Sequence, residues 1–267
     1  MSRKPIGWGS FFLVACLCAS VGFAYEVNEV VHGGTVAGRI GFTGTPPAPR
    51  HFEVQKGPEV CGPERTLTKV DVRNGWLKGA VVVLEGVKQG KSFEPQQIKD
   101  MTPGEGEFRY SGGDLLHLNV DLEKCSFGPF TGVVMADTPV QFANHDLIKH
   151  TLHTYVLKGR NATILKTVHN QNLPPESRTE KIFYSKTLNR EGAIALTCDR
   201  HDFMENWLYV VDSPYFAISD RDGKFSMDQV PPGEYDLVVW HPVLGMQTQV
   251  VQIDAGGQIK ADFTFAK

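Results

Sequence analysis

Cys198-Asp199-Arg200-His201-Asp202-Phe203-Met204 sets a thiol, an imidazole and a thioether at intervals of three residues. Forty-eight residues before Cys198 stands His150, in the run Asn144-His145-Asp146-Leu147-Ile148-Lys149-His150, with His153 three positions later. One thiolate, two imidazoles and a weak axial thioether make a trigonal donor set that suits an ion cycling between Cu(I) and Cu(II). Structural zinc prefers four strong Cys or His ligands, and haem attachment needs a C-x-x-C-H run that the sequence lacks. The expected ligands of one copper are therefore His150, Cys198, His201 and Met204. His153 falls on the opposite face of an extended segment from His150, and is read as a surface or packing residue. The sequence contains no G-x-S-x-G, H-E-x-x-H or Gly-rich phosphate loop, and a site with four protein ligands leaves no open position for substrate. The expectation is a carrier, not an enzyme.

Such ligands need strands to hold them. Cys198 closes the alternating run Ala193 to Thr197, Trp207 opens the next, and His150 follows the run Val140 to Ala143. The 48-residue interval holds about four strand-and-turn units, enough for a sandwich to bring the chain back beside His150. Similar short runs recur at Thr35 to Phe42, Gly79 to Leu84, Leu115 to Leu122, Gly132 to Val134, Tyr235 to Trp240 and Gln247 to Ile253, with 27 Gly and 16 Pro to make the turns. Helical periodicity is almost absent, so the pattern predicts an all-β fold. Glu85 to Glu107 is read as a short helix or loop, and Lys158 to Lys186 as containing one long loop.

The N-x5-H-x2-H and C-x2-H-x2-M motifs, over roughly residues 106–212, resemble the cupredoxins of the amicyanin and plastocyanin kind. The resemblance implies a Greek-key β-sandwich with a type 1 (blue) copper near one end, His150, Cys198 and His201 equatorial and Met204 axial. It also implies that Asn144 hydrogen-bonds the ligand loop near the thiolate, fixing its geometry. Family members often carry Pro beside the loop His and an apolar surround, where this chain has Asp199, Arg200 and Asp202. That departure leaves the ligand set intact but removes any inherited docking partner. The implied partner class is a redox protein such as a c-type cytochrome or a periplasmic oxidoreductase, reached through an exposed edge of His201.

Near the end of the chain, Asp222-Gly223 between apolar runs is a tight hairpin signal, and Pro231-Pro232-Gly233 leads into Tyr235-Asp236-Leu237. This stretch resembles the carboxypeptidase regulatory-like (transthyretin-like) β-sandwich, whose opening strands look like Gly34 to Ile40 and Gly79 to Leu84. The expected layout is discontinuous, with that sandwich built from residues 30–95 and 213–267 around a cupredoxin domain at 106–212. A fold of this kind says little about function.

Residues 1–24 read as a secretory signal, with Arg3 and Lys4 ahead of an apolar stretch and Ala24 at the cleavage point. Leu13-Val14-Ala15-Cys16 also resembles a lipoprotein box, which would put a lipid anchor on Cys16. No later segment reaches the length of an apolar membrane span. Across all 267 residues the formal charge is −3, and it falls to −5 once Arg3 and Lys4 are removed. No basic field is present to hold nucleic acid. Of five cysteines, Cys61, Cys125 and Cys198 follow the signal, an odd number for an oxidising compartment. With Cys198 claimed by copper, Cys61 and Cys125 are expected to pair and tie the inserted domain to the flanking one, the alternative being two free buried thiols. Three function classes remain open at this point: a periplasmic electron carrier, a copper-trafficking or sensing protein, and a structural β-module with a vestigial site.

Overall fold

The computed structural model describes residues 25–97, 106–158, 163–188 and 192–267. The expected signal and Cys16 lie outside them. The fold is all-β, and the one helix among the described residues is a single turn, Pro58–Cys61.

Two five-stranded sheets enclose the first core. One runs in the order Arg178–Ile182, Pro139–Asn144, His117–Leu122, Glu107–Ser111 and Gln96–Gln97. The other runs Thr131–Met135, His201–Val211, Ala193–Cys198, His150–Lys158 and Thr163–Leu173. Each sheet contains one parallel pair, His117–Leu122 with Pro139–Asn144 and Thr131–Met135 with His201–Val211. Alternate residues from both, among them Phe108, Val120, Phe142, Leu152, Ile194 and Leu208, point inward and are fully buried, as period-2 patterning requires.

The second core belongs to strands from both ends of the chain. Gly34–Thr43 is its central strand, pairing antiparallel with Lys224–Val230 and parallel with Gln258–Lys260 and Phe263–Ala266. Gly38 allows that close approach, because a Cβ there would meet the Ala261 carbonyl oxygen at 1.7 Å. The facing sheet is Phe216–Ile218, Val81–Glu85, Gly233–His241 and Gly245–Ile253. The Asp-Gly hairpin forms as its sequence directs: Gly223 has φ +71°, and Asp220 Oδ1 accepts from the N–H groups of Asp222 and Lys224.

The run Val81-Val82-Val83-Leu84 is buried throughout because it serves both cores. Val81 and Val83 pack into the first, while Ala80, Val82 and Leu84 pack into the second. Polar bonds reinforce the junction. Thr131 Oγ1 donates to the Gly79 carbonyl at 2.6 Å, and Tyr209 Oη to Glu85 Oε1 at 3.1 Å.

Two local expectations change, and one feature is new. Lys158 to Lys186 holds two strands, Thr163–Leu173 and Arg178–Ile182. The first is a sheet-edge strand whose residues 166–172 are all exposed or half-buried, so no apolar alternation announces it. Glu85 to Glu107 contains the short strands Gln89–Gly90 and Gln96–Gln97, with residues 98–105 outside the described ones. Finally, Arg50–Glu53 pairs with Glu64–Leu67 as a hairpin enclosing Pro58–Cys61, and this hairpin reaches across to the end of the first sandwich that carries Cys198.

Candidate metal centre

Cys198 is the last residue of its strand and pairs with His201, while its neighbour Thr197 pairs with Glu205. Residues 202–204 are thus extra on one side of the ladder, a bulge that bends the chain back on itself. The bend buries His201 and Met204 and leaves Asp202 exposed. His150 begins the strand that runs antiparallel to Ala193–Cys198, with His153 opposite Thr197, so it arrives beside Cys198 from the adjacent position in the sheet.

Three donor atoms converge there. His150 Nδ1 and His201 Nδ1 are 3.2 Å apart, and Cys198 Sγ lies 3.9 and 3.7 Å from them. The centre of a triangle with these sides is about 2 Å from each corner, close to metal–nitrogen distances of about 2.0–2.1 Å and slightly under the 2.3 Å of a metal–thiolate bond. All three residues are buried, at 0%, 3% and 3% exposure for His150, His201 and Cys198. Both outer ring nitrogens already have acceptors. His150 Nε2 lies 2.8 Å from Asp146 Oδ2, and His201 Nε2 lies 3.0 Å from the Lys56 carbonyl oxygen. Donation through Nε2 leaves both Nδ1 lone pairs facing each other and the sulfur, an arrangement that calls for a cation at the centre. The three donors fit a metal ion, and two imidazoles with one thiolate is a set that copper accepts.

The electrostatics agree. Burial pushes the Cys198 thiol up, but its contacts with the His150 and His201 imidazoles and hydrogen bonds from the N–H groups of Thr151 and Arg200 outweigh it and bring the group down to about 6. Thr151 N donates to Cys198 Sγ at 3.3 Å. For His150, burial favours the neutral ring, yet its contacts with Asp146 and Cys198 raise its pKa on balance. Asp146 is likewise pushed up by burial and held lower overall by His150 and the N–H groups of Cys125 and Lys124. Metal ligation needs the thiolate, and this environment favours it.

Met204 is buried at 3% exposure in the same bulge, three residues past His201. Asn144 takes a different role from the one its motif implied. Its Nδ2 donates to the carbonyls of Ile148 (2.9 Å), Leu173 (3.3 Å) and Pro174 (2.8 Å), and its Oδ1 accepts from Asp146 N at 3.0 Å. It braces the turn between Asn144 and His150, not the loop 198–204; the contact to the sulfur comes from Thr151. The exposed edge expected for His201 is also absent. The hairpin 50–67 covers it, with Phe52 edge-on to Phe203 at 6.0 Å, and just past the hairpin Lys69 Nζ bonds to both Glu205 oxygens at 2.6 Å. His153 faces away, bonded to Asp199 Oδ1 at 2.7 Å.

Cys61 and Cys125 form a disulfide, with Cα atoms 5.1 Å apart, and Cys198 is a free thiol. The bridge pins the hairpin's helical turn to the first sandwich. Asp146 and the hairpin are the site components that sequence reasoning missed. Asp146 lies inside the quoted histidine run, four residues before His150, and an acid at that spacing was a readable signal. The approach of Lys56 across 145 residues of chain was not.

Comparison with known proteins gives limited matches. The model of polysaccharide lyase family 4, domain II, matches residues 189–261, less than half the chain. It takes the place of the carboxypeptidase regulatory-like resemblance, which rested on turn residues common to many β-sandwiches. No curated protein sequence matches. Among solved structures, a purple cupredoxin from Nitrosopumilus maritimus is similar at 19% identity, covering 31% of this chain and 79% of its own, with a TM-score of 0.24. A reduced Cu(I) form of an amicyanin mutant at pH 4 has 16% identity, 49% and 98% coverage and a TM-score of 0.27. A copper-containing nitrite reductase from Thermus scotoductus SA-01 has 18% identity, 36% and 22% coverage and a TM-score of 0.26. Among the described residues, no helix is long and apolar enough to cross a membrane.

Proposed function

We propose that this protein carries single electrons in an exported compartment on one type 1 copper ion, held by His150, Cys198 and His201 with Met204 as axial donor. The observation that carries this reading is the convergence of two imidazole Nδ1 atoms and one thiol sulfur within 3.2–3.9 Å, with both Nε2 atoms committed to acceptors. Copper held there would supply a one-electron couple whose two oxidation states share one set of ligands. The chain's own part is to keep those ligands fixed. Asp146 and the Lys56 carbonyl set the imidazole orientations, the bulge sets His201 and Met204 together, and burial keeps water out. No open position is left for a substrate, which supports a carrier over an enzyme. Retention also fits better than delivery, since a metal handed to another protein must be reachable and the hairpin lies over His201.

In this reading residues 106–212 bear the metal and residues 30–95 and 213–267 flank it. The partner is a redox protein such as a c-type cytochrome or a periplasmic oxidoreductase, and residues 1–24 direct export; the disulfide fits an oxidising compartment. The test is to add Cu(II) to purified protein lacking residues 1–24 and record the visible spectrum. An intense blue thiolate-to-copper band is expected in the wild type, and its loss with the far-UV circular dichroism preserved is expected in Cys198→Ala. A colourless wild type, or a band that survives that substitution, overturns the proposal.

A further inference from the structure

The disulfide has surroundings that a staple alone does not require. Cys61 Sγ lies 3.8 Å from His201 Nε2. On its other side, Cys125 Sγ, an Asp146 carboxylate oxygen and a His150 ring nitrogen all lie within 4.8 Å of one another. The nitrogen of His150 that faces Asp146 is Nε2, because Nδ1 turns toward Cys198. Cys61, Cys125, Asp146 and His150 are all buried, at 3%, 1%, 4% and 0% exposure. The backbone at this point is also held in an unfavourable state. Lys124 and Cys125 both adopt left-handed conformations, at φ +47° and +57°, kept there by N–H bonds to the two Asp146 oxygens at 2.7 and 2.8 Å. Such conformations are strained and collect at functional sites.

We infer that Cys61 and Cys125 form a second, redox-gated site for a soft metal ion, lying directly behind the first. With the disulfide open, the Cys125 thiolate, the Asp146 carboxylate and His150 Nε2 supply three donors already gathered together, and Cys61, released from Cys125, turns in from the His201 side as the fourth; a pair of thiolates selects Cu(I). His150 then spans both sites, Nδ1 toward one and Nε2 toward the other. The opening step is a two-electron reduction by a dithiol or a phosphine. The S–S bond breaks, each sulfur gains one electron and one proton, and the dithiol closes its own disulfide or the phosphine takes oxygen from water. Binding then releases the thiol protons and the Nε2 proton to solvent. The inference rests on the electron-carrier reading only for the identity of the neighbouring ion.

Counting Cu(I) under anaerobic conditions against the chelator bicinchoninate tests it, with ascorbate, which leaves disulfides closed, or with a water-soluble phosphine, which opens them. Wild type should bind one ion with ascorbate and two with phosphine. Cys198→Ala should bind none and one, and Cys125→Ser should bind one in phosphine. Equal counts in the two reductants, or a second ion retained by Cys125→Ser, overturn the inference. So does collapse of the near-UV circular dichroism when the metal-free protein is reduced, since the bridge would then be structural only. No ion in the wild type with ascorbate, together with one in Cys198→Ala with phosphine, would sink the electron-carrier reading and leave the second site standing.

Discussion

His201 Nε2 lies 3.0 Å from the carbonyl oxygen of Lys56, a residue 145 positions away on the covering hairpin. The imidazole that would otherwise offer the shortest path from metal to solvent therefore ends on peptide backbone. Any approach to His201 from solvent crosses the hairpin first, with Asp199, Arg200 and Asp202 at its border.

Loosening this cover should speed exchange of the metal. The Phe52 ring sits edge-on to Phe203, and such pairs contribute about 1 kcal/mol beyond the area they bury. Phe52→Ala should increase the population of the opened hairpin by about fivefold. Copper transfer to an external chelator, followed by decay of the visible band, should accelerate to a similar degree while the band position stays fixed. An unchanged rate would mean that copper leaves by another route.

Asp146 should set the donor strength of His150. An ionised carboxylate hydrogen-bonded to Nε2–H makes the imidazole a stronger donor and favours Cu(II) over Cu(I). Asp146→Asn keeps the shape and removes the charge, so the reduction potential should rise and Cu(II) affinity should fall by about 10- to 100-fold. Voltammetry and a Cu(II) competition titration would check both. A potential unmoved by the substitution would reduce Asp146 to a brace for Lys124 and Cys125.

Met204→Leu should keep copper and colour but raise the potential, because losing a weak axial donor destabilises Cu(II) relative to Cu(I). His150→Ala should instead cripple binding. If the potential and the spectrum of Met204→Leu both match the wild type, the buried thioether is packing and nothing more.

His241 should make the metal-free protein sensitive to mild acid. It is 1% exposed, its Nδ1 accepts from Val243 N at 3.2 Å, and burial pushes its pKa down to about 3. An unfolded histidine titrates near 6.5. Below that value the unfolded chain takes up a proton that the folded chain refuses, so this contribution is intact above pH 6.5 and drains away as pH falls toward 3. His241→Gln should lose about 2 kcal/mol less than wild type between pH 6.5 and 4.5, as read by urea unfolding of both proteins. Parallel pH profiles would show that the ring is charged in the fold or reaches solvent.

Much of this architecture was readable because local pattern and tertiary role coincide. Ala193–Cys198 is a short apolar run, buried at every position but Thr197, and it ends where the thiol is needed, while Asp222-Gly223 makes the turn its chemistry favours. What escaped reading depends on relations between distant segments. Nothing in residues 50–67 marks them as a cover for His201, because the contacts are a backbone carbonyl and an aromatic edge, backed by a half-buried ion pair from Lys69 just past the hairpin. Thr163–Leu173 is a strand by virtue of the neighbour it pairs with, His150–Lys158, since residues 166–172 show little alternation. Asn144 matched a motif, and its hydrogen bonds went to the nearer loop.

The strand Val81–Glu85 gives its odd residues to one core and its even residues to the other, so neither sandwich can melt without stripping this strand from its neighbour. The two halves should unfold in a single calorimetric transition. Free energy gained when a ligand binds either half then protects the whole chain, so metal loading should guard the far sandwich against proteases that never reach the metal.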